Sequence, residues 1–276
     1  MNFRHIWAIT RKDLREASGN TSVWLSMILV PLIFVVIFPL AIILLTTQAG
    51  MSVDSFTKDP GIKMFMSNMP AYMTQTLAGL NEIQSMFVLI LGHLFAPMFL
   101  IIPLMFSTTI AAESFAGERE RKTMEALLYT PATDTELFLG KMMAGLLPAV
   151  LIAWLSFIAY ILILNGAAWP VFGRIWFPIP TWYPLIFWVT PALAVLGVSM
   201  TVLISSKQKT FMGAYQTSAS TVLLVVALMV GQATGLVYLS VGVGLLIGLI
   251  IWMIDAALLW FAIRIFNRKS LLASAA

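Results

Sequence analysis

The sequence predicts an all-α, polytopic membrane protein. It has six transmembrane helices, an amphipathic amino-terminal helix lying in the interface, and a short cytoplasmic helix between the second and third spans. Of the 276 residues, 60% are hydrophobic and 10% charged, against about 45–50% and about a quarter in soluble domains. The mean hydropathy is +0.94. The few charges also cluster, leaving uncharged runs longer than the roughly 20 residues an α-helix needs to cross hydrocarbon. This composition excludes a water-soluble enzyme. The chain has no cysteine, which removes disulfides, thiol nucleophiles and thiolate metal sites. Its net charge of +4 reports orientation in a bilayer and gives no reason to invoke nucleic acid.

Residues 1–22 read as the interfacial helix and 23–276 as a single transmembrane domain. On a helical wheel Phe3, Ile6, Trp7, Thr10, Leu14 and Ala17 share an arc of about 100°, with Arg4, Arg11, Lys12 and Arg15 outside it. A basic helix with such a stripe lies flat on the membrane surface, either as a plain anchor or also touching a cytoplasmic partner. The spans are expected at about 23–46, 83–112, 139–164, 183–206, 210–232 and 237–264. The first run exceeds the apolar core of a signal peptide, roughly 7–15 residues, and reads as a retained span. Pro97 and Pro103 are expected to kink the second. The uncharged run 210–254 has length for two crossings, turning at Gly231, Gln232, Thr234 and Gly235. A re-entrant pair in place of the fifth span stays open.

Thirteen of the 16 Lys and Arg residues fall on the side of the termini, which the positive-inside rule assigns to the cytoplasm. Lys58, Lys63 and Arg174 lie opposite. The outer loop 47–82 carries Met51, Met64, Met66, Met69 and Met73, a stretch expected on the bilayer or on helix ends. Trp169, Phe172, Trp176, Phe177, Trp182 and Tyr183 read as an interfacial aromatic belt.

The inner loop 112–141 is the most informative stretch. Six charges lie between Glu118 and Glu125. Glu118–Lys122 and Arg121–Glu125 are helix-favouring pairs of opposite sign, and Met124, Leu127 and Leu128 group on one face while Glu118, Arg119 and Lys122 point away. Pro131 ends this helix, placed at about 117–130, and Thr133 to Glu136 supply a capping box for the next. Orientation alone requires only positive charge. The near balance of Glu113, Glu118, Glu120 and Glu125 against Arg119, Arg121 and Lys122 fits a docking surface better.

This loop resembles the permeases of type-2 ATP-binding-cassette (ABC) exporters. The resemblance rests on Glu113, Gly117-Glu118-Arg119, Thr123-Met124-Glu125-Ala126-Leu127-Leu128, Thr130-Pro131 and Gly140-Lys141, and the order of spans extends it along the chain. It implies a coupling helix seated on a separate cytoplasmic ATPase, with Glu113, Gly117, Glu118, Arg119, Arg121, Thr123, Met124, Glu125, Leu127, Leu128 and Pro131 as the coupling residues. It further implies a homodimer or a heterodimer with a similar permease, ATP and Mg held by the ATPase, and residence in the cell membrane, the plasma membrane of a prokaryote. The short outer loop disfavours branches of the family with a large outer domain. The chain carries no phosphate-binding loop, since Gly140-Lys141 lacks the upstream glycine and is followed by Met142.

Asp255 is a carboxylate deep in an apolar span, about 13 Å of helix from Arg264, at a depth comparable to His93. An aspartate at mid-span costs around 2.5–3.5 kcal/mol on insertion scales and should face a partner or water. The expectation is that it pairs with His93 or with backbone and hydroxyl groups. Gly244 and Gly248 have the spacing of a close helix contact. Two histidines without cysteine make no zinc cluster. Two other readings remain beside the permease: a stand-alone ion-coupled transporter or channel using Asp255 and His93, and a membrane scaffold. The expected substrate is an amphipathic small molecule or peptide.

Overall fold

The computed structural model describes residues 2–19, 21–48, 60–121, 123, 130–205, 208 and 210–265, and every regular element among them is a helix. Six are long and apolar enough to cross a membrane: Met27–Thr47, Ala96–Glu120, Asp134–Ala167, Trp182–Ser205, Phe211–Ala233 and Val241–Ala262, spans one to six. The chain is therefore a multi-pass membrane protein. An amphipathic helix, Phe3–Gly19, precedes them. The end that holds it, together with the 113–141 and 205–210 connections, is here called the basic end.

Spans two and four are the centre of the bundle. In their apolar windows 89% and 78% of the residues are buried, against 17–28% in the other four spans. Hydrocarbon is as apolar as leucine, so helices in a membrane associate through close packing, and small residues permit it. Span two supplies Ser107, Thr108, Ala111 and Ala112, and span four Ala192, Ala194, Gly197 and Ser199, all buried. A Cβ at Gly197 would strike Ser107 Oγ, and one at Gly145 in span three would sit 2.9 Å from Val198 Cγ2. The hydroxyls of Ser107, Thr108 and Thr201 donate to carbonyls of their own helices, so close approach leaves them satisfied. Span six lies on span four in the same way. Gly244 receives Pro184 and Gly248 receives Trp188.

The expected second span, 83–112, needs correction. The helix that begins at Glu82, under a capping box of Asn81 and Gln84, runs as far as Leu94, and Phe95 separates it from span two. Pro97 and Pro103 are not mid-helix kinks. Each lies in the first turn of a new segment, Ala96–Phe99 and Ile101–Ala112, where a missing N–H leaves no bond broken. From 82 to 120 a continuous helix would measure about 58 Å, nearly twice a hydrocarbon core. Irregular backbone at membrane depth is tolerated where protein buries it, and here three spans supply hydrogen-bond donors. Tyr160 Oη donates to Leu91 O at 2.9 Å, Trp182 Nε1 to Gly92 O at 2.6 Å and Gln232 Nε2 to His93 O at 2.7 Å.

The aromatic belt is also corrected. Trp169 and Tyr183 are exposed, whereas Phe172, Phe177 and Trp182 are buried. Trp182 stacks on Phe157 and Tyr160 and meets Phe99 edge-on. These rings fill the space beside the helix break, and belong to the core because Trp182 must reach Gly92 O. In the outer loop, helices Pro60–Ser67 and Ala71–Leu77 cap this end. Phe65 and Met73 pack on Leu89, Tyr72 Oη donates to Leu239 O at 2.8 Å, and Tyr238 Oη to Phe65 O at 2.7 Å. Met64 and Met66 are exposed; Met51 lies outside the described residues. Span five bends at Ser220–Thr221, and the turn to span six follows at Thr234, with Gly235 at φ +71°.

Tyr160→Phe strips the donor from Leu91 O and should lower stability by about 1–3 kcal/mol, the cost of an unsatisfied buried group. Thermal unfolding in detergent measures it, and the exposed Tyr183→Phe should leave the midpoint unchanged.

Candidate coupling site at the basic end

The amino-terminal helix has two faces, not the single stripe expected. Ile6, Ile9, Thr10, Asp13 and Ala17 are buried against the protein, while Phe3 and Trp7 are 74% and 50% exposed. Gly140 decides which face turns inward. A Cβ there would lie 2.8 Å from Ile9 Cβ and 3.0 Å from Ile6 O, so the two backbones meet where a side chain would stand. Thr10 Oγ1 donates across the contact to Gly140 O at 2.9 Å. Phe3 and Trp7 are left facing outward, where an interfacial helix carries its aromatic rings.

Beside Gly140, Lys141 is fully buried. Its ammonium donates to Ser114 O at 2.7 Å, bonds the Glu118 carboxylate, and lies 3.3 Å from Asp13 Oδ2. Ser114 Oγ in turn bonds Asp13, and the Phe115 ring lies 5.5 Å from the charge, within cation–π range. One side chain thus ties the amino-terminal helix, the inner end of span two and the start of span three. Lys12 adds a second tie from the half-exposed flank. It bonds Glu118 and stands 3.2 Å from Glu16 and 3.4 Å from Asp13. Burial draws the Lys12 ammonium down, but Glu118, with Asp13 and Glu16, outweighs that and raises its pKa above 10.5. Asp13, Glu16 and Glu118 lie close enough together to hold a cation, yet these two ammonium groups already engage them.

Glu136, Arg121, Arg119 and Glu120 make further bonds to the protein. Glu136 completes the capping box with Thr133, as its spacing predicts, and also accepts from Asn2 N and pairs with His5 Nδ1 at 3.1 Å. The starts of two helices are thereby joined. Arg121 bonds Glu113 at 2.6 Å and reaches Glu16 at 3.9 Å, and the Glu113 contact raises the pKa of its guanidinium. Arg119 donates to Ser205 O at 2.7 Å, and Glu120 accepts from Phe211 N at 2.8 Å. Through these two contacts the end of span two holds the end of span four and the beginning of span five.

The sequence reading placed Glu118 and Arg119 on an outward face, with Glu118 paired to Lys122 and Arg121 to Glu125. Glu118 is instead fully buried on Lys141, and Arg121 turns to Glu113. Glu113 and Gly117 are buried as well, in a π-helical turn where the Glu113 carboxylate lies over Gly117. Glu113, Gly117 and Glu118 brace the loop from within, while Arg121 keeps an exposed side chain. Thr123 and Pro131 are exposed at its two ends. Lys122, Met124, Glu125, Leu127 and Leu128 lie outside the described residues. Asp13, Ser114, Glu136 and Lys141 were missed as site residues. The available signals were Asp13 at the border of the apolar arc and Gly140-Lys141 in the family motif.

The expected pair of His93 and Asp255 does not form. His93 Nδ1 lies 3.0 Å from Val88 O in its own helical turn, and both Asp255 carboxylate oxygens are buried without a hydrogen-bond partner. No relay connects them.

The chain thus has six crossings, a close-packed central pair, a charged brace at the basic end and a hydrogen-bonded helix break at the other. The chain belongs to the ABC-2 family of transporter proteins, whose family model matches residues 7–253, and it is accordingly a type-2 ABC permease. No curated protein matches it.

Lys141→Met leaves the buried Asp13 and Glu118 with Lys12 alone as their cation and should cost up to about 3–5 kcal/mol. Adding Asp13→Asn and Glu118→Gln to it should return part of that loss, as thermal unfolding of the single and triple variants will show. Gly140→Val, which pushes the amino-terminal helix off span three, should cost about 1–3 kcal/mol by overpacking.

Proposed function

We propose that this chain is the membrane subunit of an ATP-driven exporter, moving an amphipathic small molecule or peptide by alternating access, with a separate ABC ATPase as its motor. The observation that carries this reading is the brace around Lys141. Span two continues as helix to Glu120, and from there Lys141, Arg119 and Glu120 lead to span three, the end of span four and span five. A force applied to the segment beyond Arg121 reaches these elements together. That segment carries Thr123, Met124, Glu125, Leu127 and Leu128, which resemble the coupling motif of the family. In this reading the apolar residues supply the buried area of the contact with the ATPase, and charge sets its register.

Both termini then face the cytoplasm of the plasma membrane, as the distribution of Lys and Arg requires. Two permease chains, identical or similar, pair over two ATPases. ATP and Mg bind the ATPase, and hydrolysis occurs there, since this chain has no phosphate-binding loop of its own. The alternative of a stand-alone ion-coupled transporter loses its basis with the separation of His93 from Asp255.

Affinity purification from native membranes tests the proposal. The wild-type chain should bring down an ABC ATPase, and Leu127→Asp with Leu128→Asp should release it while the permease stays folded. ATP-independent transport by the chain alone would refute the reading.

A further inference from the structure

Two features of span six are unaccounted for by the coupling brace. The first is a cavity of about 520 Å³ between spans four, five and six, with Leu100 of span two at its base. Its wall is apolar apart from Thr221, and its volume suits a drug-sized ligand. Leu224, Ile250 and Ile254 of that wall are 58%, 44% and 46% exposed, so the cavity opens on the side of the bundle. Along span six it extends from Ile247 to Leu258, about 16 Å of helix rise, across the middle of the span.

The second feature is Asp255. Ile251 and Leu258 line the cavity, and Asp255, at i+4 from the first and i−3 from the second, is their neighbour on the helix surface. It stands behind that wall, toward span four. The contacts of Gly244 with Pro184 and of Gly248 with Trp188 set a constant offset between the parallel spans, which brings Asp255 level with Val195. The carboxylate is fully buried and neither oxygen has a partner. One turn away, Trp252 faces Trp188 at 5.8 Å between ring centroids. An unpaired carboxylate in hydrocarbon is costly enough that such residues mark ligand or ion paths. No cationic side chain among the described residues bonds this one.

We propose that this cavity takes up a hydrophobic monocation from the adjoining leaflet, with Asp255 as its counter-ion. The apolar body fills the space between spans five and six. A turn of the Asp255 side chain past Ile251 and Leu258 brings the carboxylate to the positive centre. Lateral opening matches such a ligand, which partitions into the leaflet before it reaches the protein. The inference deepens the export reading by naming its substrate class, and rests on it for the transport step alone.

Binding is measurable without the motor, so the two can fail separately. The full-length chain in lipid nanodiscs is titrated with radiolabelled tetraphenylphosphonium and with tetraphenylborate, its anionic counterpart of like size. The cation should bind saturably and the anion should not. Asp255→Asn should weaken the cation by about tenfold or more, the scale for losing one partner of a desolvated charge pair, and Asp255→Glu should retain it. Leu224→Trp, at a lipid-exposed position, should weaken it by filling the cavity, and serves if Asp255→Asn does not fold. Undiminished binding of the cation to Asp255→Asn, or to Leu224→Trp in that event, overturns the proposal. Equal binding of cation and anion by the wild type does the same. Loss of ATPase co-purification bears on the export reading alone.

Discussion

The buried ammonium of Lys141 is the interaction on which the basic end depends. Removing a lysine from water is expensive, and the cost is met here by two carboxylates, a backbone carbonyl and a hydroxyl drawn from two other elements. A buried ion pair adds little net stability over an apolar replacement, but breaking one is severe. Its value is therefore in specifying a single arrangement. The amino-terminal helix cannot slide along span three without uncovering this charge, and span two cannot rotate at its base without withdrawing Glu118.

Gly140 and Lys141 divide that task between shape and charge. The glycine sets how near the helix can come, and the lysine sets its register once there. Thr10 links the two by donating to Gly140 O while Asp13, one turn on, meets the ammonium. The same economy holds at the opposite end, where the break at Phe95 frees three carbonyls and three spans each send one donor. Between these two fixed ends span two is almost wholly enclosed by the other helices.

Lys141 and Asp255 make an instructive contrast. Both are charged residues set among apolar neighbours, and both are fully buried. The first lies where three elements converge and finds its partners within its own chain. The second lies on a peripheral span that packs mainly on span four, and neither of its oxygens bonds a donor among the described residues. The protomer completes one site and leaves the other open.

Much of the architecture was legible from composition. Charge spacing gives six crossings, because hydrocarbon tolerates few ionised groups and a helix needs a known length to cross it. The capping box at Thr133 and Glu136 is local chemistry, and formed as its spacing required. The family resemblance in the inner loop was also carried by contiguous residues. What the sequence could not decide was every partner distant along the chain. It made Glu118 a solvent-facing neighbour of Lys122, since periodicity knows only the helix a residue belongs to, whereas the true partner is Lys141 from another span. It joined Glu82–Leu94 to span two because hydropathy registers apolarity and not a break sealed by Tyr160, Trp182 and Gln232. It counted Trp182 as interfacial and Asp255 as paired. In each case the deciding term is desolvation, which depends on what surrounds a group in space, and that is fixed only when the helices have packed.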